Sequence, residues 1–365
     1  MKEILLFIIR FIAAQAILTA IQTPLRKKRI KPVFHALLIA GKALLAIGFA
    51  VIVLAGPVQL RALQPLMMAL YVALFADAAA DLLYTVICAI RKKERAFATG
   101  KALSLIFGIL FLTFGIWNME TVVPAYHTYT SEKIEQEHTV VFIADLHVGS
   151  AQPFTVTEKT VEKMKDMQPD ATILGGDIVD DYTTKEEMEA VFKLFSDFTT
   201  PVYYVYGNHD RQGHAQYAGG RKFTPEELED ALKANGIVIL KDEYADIAPD
   251  LVLLGREDMS ENGRKDTAAL TPPPSDAFLL VADHQPNDFK AHAALGADLQ
   301  ISGHTHAGQL FPLGIFYSAI GYCRGEYQEG DSTMLVSSGV CGWRCPLRTD
   351  ARCNIEVITL SPAVK

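Results

Sequence analysis

The chain has 365 residues, half of them hydrophobic, with a mean hydropathy of +0.17 and a formal net charge of −8. That balance is too apolar for an ordinary soluble protein, and the apolar excess lies at the front. Residues 1–118 carry 14 Lys and Arg against 4 Asp and Glu, whereas the remainder carries 20 against 38. A basic membrane part joined to an acidic soluble part argues against nucleic acid as the main partner.

Four apolar segments fill the front, at about 4–22, 34–56, 63–90 and 102–118. Each is near the ~20 residues that a helix needs to cross a bilayer. The first has Arg10 inside it and no small-residue cleavage site before the basic cluster, so it reads as a retained helix rather than a signal peptide. Basic residues gather between segments one and two (Arg26, Lys27, Lys28, Arg29, Lys31) and between three and four (Arg91, Lys92, Lys93, Arg95), with only Arg61 between two and three. The positive-inside rule puts both basic loops in the cytoplasm, and the termini and soluble part outside it. Arg10, Lys42, Asp77 and Asp81 lie within the spans. At ~1.5 Å per residue their depths match in two pairs, Arg10 with Asp77 and Lys42 with Asp81, as salt bridges holding the bundle.

Residues 119–138 are polar, include Pro124 and a charged run at 132–137, and read as a linker before a domain over 139–365. From there apolar strands alternate with helical stretches, which is an α/β pattern. Strands are expected at 140–143, 172–174, 202–205, 278–281 and 299–302, with others at 236–240, 251–254, 333–336 and 355–360. Amphipathic helices are expected at 156–167, at 185–198 after a cap at Thr183 or Thr184, and at 225–234 after Thr224. Cys88 lies in a span and reads as packing. Cys323, Cys341, Cys345 and Cys353 cluster near the C-terminus; outside the cytoplasm they permit three disulfide pairings, and unpaired packing is the alternative.

Five of the strands each end in Asp, His or Asn. They run into Asp145 and His147, Gly176-Asp177, Gly207-Asn208-His209-Asp210, Asp283-His284, and Gly303-His304-Thr305-His306. On an extended backbone residues i and i+2 face the same side, so the rings of His304 and His306 can point at one spot. Sites in open α/β sheets form beyond the carboxyl ends of the strands. Five such ends carrying oxygen and imidazole donors predict one shared metal centre, and the mixed donors suit Mn, Fe or Zn. Arg256, Arg324, Arg344, Arg348 and Arg352 are candidates for gripping a substrate phosphate. After His306, Leu310, Phe311, Leu313, Ile315 and Phe316 are too many apolar residues for an ordinary exposed loop. They fit either core packing or an apolar lip facing a membrane.

Taken in order, these motifs resemble the calcineurin-like metallophosphoesterase family over residues 139–360. With the apolar front, Asp283-His284-Gln285-Pro286 and residues 299–309, the chain resembles its bacterial membrane-bound branch. The resemblance implies two packed mixed β-sheets flanked by helices, preceded by a four-helix transmembrane bundle. It also implies two divalent metal ions. Asp145, His147 and His306 would hold the first, Asn208, His284 and His304 the second, and Asp177 would bridge them. Such a pair polarises a phosphoryl oxygen and acidifies a shared water into hydroxide. His209 would face the leaving-group oxygen, oriented by Asp210. The implied activity is cleavage of a phosphoester or pyrophosphate bond, and the lip and the membrane part point to a lipid or lipid-linked envelope substrate. A nucleotide or small-molecule phosphodiesterase, or a metal-binding membrane sensor without turnover, are the alternatives. No protein partner is legible.

Overall fold

A computed structural model describes residues 2–22, 32–55, 63–92, 101–271 and 276–363. The basic residues at 26–31, Arg61, Lys93, Arg95 and the prolines at 272–274 lie outside them. The chain divides into two compact units, Met1–Trp117 and Asn118–Lys365.

The first unit is helical: α1 (Lys2–Gln22), α2 (Pro32–Ala55), α3 (Gln64–Ile90) and α4 (Lys101–Met119), whose last two residues belong to the second unit. Among the described residues, Val33–Leu54, Gln64–Ile90 and Ala102–Met119 are long and apolar enough to cross a membrane; the apolar stretch of α1, Ile9–Gln22, is shorter. Helix α3 packs against α1 and α2 and buries Asp77 and Asp81. The Lys42 ammonium lies 2.7 Å from Asp77 and 2.6 Å from Asp81, and the Gln22 amide donates to Asp77 at 2.7 Å. The Lys42–Asp81 pair is the expected one, but Asp77 is held by Lys42 and Gln22 instead of Arg10. Residues i and i+4 stack on one helical face, so a single ammonium with three donors reaches both carboxylates.

The second unit is a sandwich of two mixed six-stranded sheets. The first contains β1 (Val122–Ser131), β2 (His138–Ile143), β3 (Ala171–Leu174), β4 (Val202–Tyr204), β5 (Ile237–Ile239) and β12 (Cys353–Pro362), in the order β1-β12-β2-β3-β4-β5. The second contains β6 (Glu243–Ala248), β7 (Leu251–Gly255), β8 (Phe278–Ala282), β9 (Leu299–Ser302), β10 (Gly325–Glu329) and β11 (Ser332–Val336), in the order β10-β11-β9-β8-β7-β6. Strands β2 to β5 run parallel in the first sheet, and β7, β8, β9 and β11 run parallel in the second.

Alternation within single strands builds the layers. Val140 and Phe142 of β2 pack between the sheets with Leu280 and Ile301, whereas Val141 and Ile143 face outward onto Val161, Phe192 and Leu228. Those last residues sit on or beside α5 (Phe154–Asp166), α6 (Lys185–Lys193) and α7 (Pro225–Ala234). Strands buried on both faces read as continuous apolar runs, which is why these are conspicuous in the sequence. Thr184 and Thr224 each close a capping box with a glutamate three residues on, fixing the starts of α6 and α7. Strand β1 falls inside the stretch expected as a linker. It pairs in parallel with β12 at the sheet edge, where Pro124 removes no ladder bond that a second neighbour would need.

Candidate metal centre

The loops after β2, β3, β4, β8, β9 and β11 converge. The Asp145 and His147 N–H groups donate to the carbonyls of Gly176 and Asp177, both at 3.0 Å. The Gly303 N–H donates to His284 O at 2.9 Å, and Val340 N–H to Ala144 O at 3.0 Å. Loops from both sheets are therefore stitched backbone to backbone before any side chain is considered. A β-carbon at Gly207 would collide with the Asp177 carboxylate, so only glycine permits that approach.

Five candidate ligands adopt left-handed backbone: Asp145 (φ 57°), His147 (43°), Asp177 (52°), His304 (72°) and His306 (49°). Non-glycine residues there cost of order 1–3 kcal/mol each, and such strain gathers at functional sites. The positive φ turns each side chain inward from the end of its strand.

The side chains assemble into two groups. Asp145, His147 and His306 form one and Asp177, His284 and His304 the other, with donor atoms in each group within 4.8 Å of one another. His147 Nε2 and His306 Nε2 face each other at 3.3 Å, and His284 Nε2 lies 3.1 Å from Asp177 Oδ2. Asn208 Oδ1 and His284 Nε2 are buried and lack a hydrogen-bond partner within the protein. Buried polar atoms are rarely left in that state. Orphaned oxygen and nitrogen atoms among carboxylates and imidazoles fit divalent ions.

The far ring nitrogens of two histidines are fixed by backbone carbonyls, and that of a third faces a carboxylate. His284 Nδ1–H donates to Gly175 O at 2.9 Å and His306 Nδ1–H to Cys341 O at 3.0 Å, while His147 Nδ1 lies 3.4 Å from Asp180. The two hydrogen bonds orient the rings of His284 and His306 and leave Nε2 of each as the candidate ligand atom. Burial pushes His304 and His306 down to about 4, so both stay neutral with a free lone pair. Burial opposes charge on Asp177, but the rings of His284, His209 and His147 hold its carboxyl well below the usual carboxylate range.

His209 stands beside both groups. Its ring centroid is 5.6 Å from that of His147 and 5.1 Å from that of Trp343. Its Nδ1 pairs with Asp181 Oδ2 at 2.8 Å. Asp210, expected as the orienting carboxylate, instead accepts from the N–H groups of Asp177 (2.9 Å), Gly207 (2.7 Å) and Val179 (3.1 Å). Adjacent residues in this turn point opposite ways, so Asp210 supports the loops while the ring of His209 turns to Asp181. Burial disfavours the imidazolium, yet Asp177 and Asp181 outweigh it and raise His209 to about 9. Asp180, Asp181, Trp343 and the Cys341 carbonyl were missed from the sequence. Only the two carboxylates left a signal there, a pair of acids shortly after Asp177.

Most of the arginines expected at a phosphate are occupied. Arg256 is fully buried against Asp242 at 2.6 Å, and Arg348 is fully buried among backbone carbonyls. Arg324 pairs with Asp350 at 2.9 Å. Arg344 stacks on Trp343, its guanidinium 4.3 Å from the ring centroid. His214 lies beside His209 at 5.9 Å between ring centroids. The apolar stretch after His306 divides: Leu310 and Leu313 are core, but α9 (Leu313–Ile320) leaves Ile315, Phe316 and Ile320 57%, 50% and 84% exposed. All five cysteines are buried free thiols, and burial pushes Cys345 up to about 12. A third acidic group, Asp283, Asp288 and His292, is closed by the Arg264 guanidinium, 2.7 Å from Asp283 and 2.8 Å from Asp288.

Residues 138–308 match the family described as calcineurin-like phosphoesterase. An uncharacterized metallophosphoesterase of Helicobacter pylori strain J99 is 29% identical over 239 residues, 63% of this chain and 62% of that protein. Phosphodiesterase YaeI of Escherichia coli K12 is 30% identical over 182 residues, 47% of this chain and 61% of that one. A Danio rerio transmembrane protein with metallophosphoesterase domain is 24% identical over 308 residues, 75% of this chain and 66% of that one. The chain spans 62% of the length of the Helicobacter relative. With the sandwich, the six loops and the two donor groups in place, the second unit resembles a calcineurin-like phosphoesterase domain over residues 138–308.

Proposed function

We propose that this chain is a membrane-anchored phosphohydrolase that cleaves a phosphoester or pyrophosphate bond with two divalent ions, and that its substrate is a lipid or lipid-linked molecule. The observation that carries the hydrolase reading is the pair of donor groups with their orphaned Asn208 and His284 atoms. Asp145, His147 and His306 would hold one ion, Asn208, His284 and His304 the other, with Asp177 between them. Ions bound there supply Lewis acidity toward a phosphoryl oxygen and lower the pKa of a water. The chain's residues do the rest. Asp181 holds His209 Nδ1, which leaves Nε2 to give a proton to the departing oxygen. Trp343 and His214 flank that ring and limit where a leaving group can lie.

The membrane reading draws on four front helices acting as one transmembrane bundle, as in the bacterial membrane-bound branch. Clustered basic residues at 26–31 and 91–95 favour a catalytic unit outside the cytoplasm. The outward apolar residues of α9, the helix that follows the His306 loop, suit acyl chains beside the site, and tethering raises the effective concentration of a bilayer substrate. The test is a comparison of phospholipids, lipid-linked pyrophosphates and nucleotides with the purified, metal-loaded chain. Preference for a lipid class supports the reading; preference for nucleotides overturns the lipid assignment. A reporter that works only in the cytoplasm should be silent when fused after Lys365, and a signal would overturn the orientation.

A further inference from the structure

The last two residues of α4 do more than join the two units. Asn118 and Met119 are fully buried within the catalytic unit. The Asn118 Nδ2 amide donates to the carbonyls of Arg348 at 3.1 Å and Ala351 at 3.0 Å. Arg348 accepts that bond at its backbone, and its guanidinium donates to Ala351 O (2.9 Å), Cys341 O (2.8 Å), His306 O (3.0 Å) and Ser338 O. Met119 Sδ accepts from the Gly342 N–H at 3.3 Å and lies 4.0 Å from Cys341 Sγ. A β-carbon at Gly342 would meet the Met119 methyl at 2.5 Å, so the loop rests directly on this side chain.

Both contacts bear on one atom, the carbonyl oxygen of Cys341. It accepts His306 Nδ1–H at 3.0 Å, the bond that turns Nε2 toward His147 and Asp145. The Cys341 N–H donates to Asp145 O at 3.0 Å, so the same residue also ties down the aspartate of that group. Nothing equivalent links Asn118 or Met119 to His284 or His304 among the described hydrogen bonds.

We infer that Asn118 and Met119, the closing residues of a candidate membrane span, are positioning residues for the Asp145–His147–His306 half of the centre. They hold the 341–351 segment at two points, and that segment sets the ring of His306. The inference rests on the two-ion reading above. Partners of this outer kind change metal affinity about 10–100-fold when removed.

The test follows Mn2+ binding to the full chain in detergent by EPR, with melting of the metal-free protein recorded alongside. Asn118→Asp, which sets a carboxylate against two carbonyls, and Met119→Ala, which withdraws support from Gly342, are each expected to weaken one of two Mn2+ sites about 10–100-fold and leave the other unchanged. A core control on α7, Leu228→Ala, is expected to lower the melting temperature and leave both affinities intact. Retention of both affinities in the two variants would overturn the inference. So would equal weakening of both sites, because that is the mark of a general packing defect. If the unaltered chain bound no Mn2+, the two-ion reading itself would fall, and the inference with it.

Discussion

His209 Nδ1 and Asp181 Oδ2 lie 2.8 Å apart, while the carboxylate of Asp210 accepts three backbone N–H groups from the loops that carry Asp177 and Asn208. One carboxylate orients a ring and the other supports the frame. Asp181→Asn should therefore lower turnover of a small chromogenic phosphodiester about 10–100-fold with the metal content intact, as part of the ~10²–10⁴-fold that a positioned acid contributes. Asp210→Asn should lower metal content together with rate. Metal analysis beside steady-state kinetics separates the two, and the reverse pattern would show the roles misassigned.

The exposed face of α9 allows a direct test of the substrate class. Phe316→Ser together with Ile320→Ser removes apolar surface but no core contact, since both side chains are at least half exposed. Hydrolysis of a lipid phosphoester in mixed micelles should fall several-fold, while hydrolysis of the small diester stays unchanged. Equal loss on both substrates would mean that α9 serves only the fold.

Much of this organisation was legible in the chain. Strands β2, β3, β4 and β8 are buried on both faces, so each appears as an apolar run, and these and β9, whose Leu299 and Ile301 are core, each run into a loop with a donor residue. The two donor groups followed from those endings and from the family resemblance. What escaped was set by tertiary context. Strand β1 is half exposed and polar, so it reads as a linker until β12 pairs with it. The partner of His209 depends on which way two neighbouring side chains turn after β4, a matter of backbone geometry that residue order does not encode. The burial of Arg256 and Arg348 has the same origin: a guanidinium among carbonyls looks, in a sequence, like one waiting for phosphate.

In the helical unit, the Lys42 ammonium pairs with both Asp77 and Asp81. Lys42→Met should remove the ammonium that both buried carboxylates share, and breaking a buried pair of this kind costs about 3–5 kcal/mol. Thermal unfolding in detergent should show a clear loss of stability in the helical unit, with kcat for the small diester unchanged. Unaltered melting would indicate that the carboxylates are neutralised in another way.

A second stability prediction concerns pH. His127 Nε2 on β1 lies 2.9 Å from the buried Glu356 carboxylate on β12, and Nδ1 lies 3.5 Å from Glu326 on β10. The hydrogen bond to Glu356 raises the His127 pKa above its ordinary value, with burial opposing it in part. A raised histidine contributes fully below the unfolded value of about 6.5 and loses that contribution as pH climbs through the folded value. His127→Gln should therefore lower Tm at pH 6, by about 2–4 °C for each kcal/mol lost, and have little effect at pH 9. The same loss at both pH values would remove the imidazolium from the account.

The most direct test of the central claim is the metal content and turnover of Asp177→Asn. Asp177 lies within reach of His284 at 3.1 Å and of His147 at 3.7 Å, one ring from each donor group. If it bridges two ions, weakening this one carboxylate should cost the chain bound metal at both sites and bring phosphodiester hydrolysis down to background. A variant that kept two divalent ions per chain and hydrolysed the diester at the unaltered rate would contradict a shared two-ion centre.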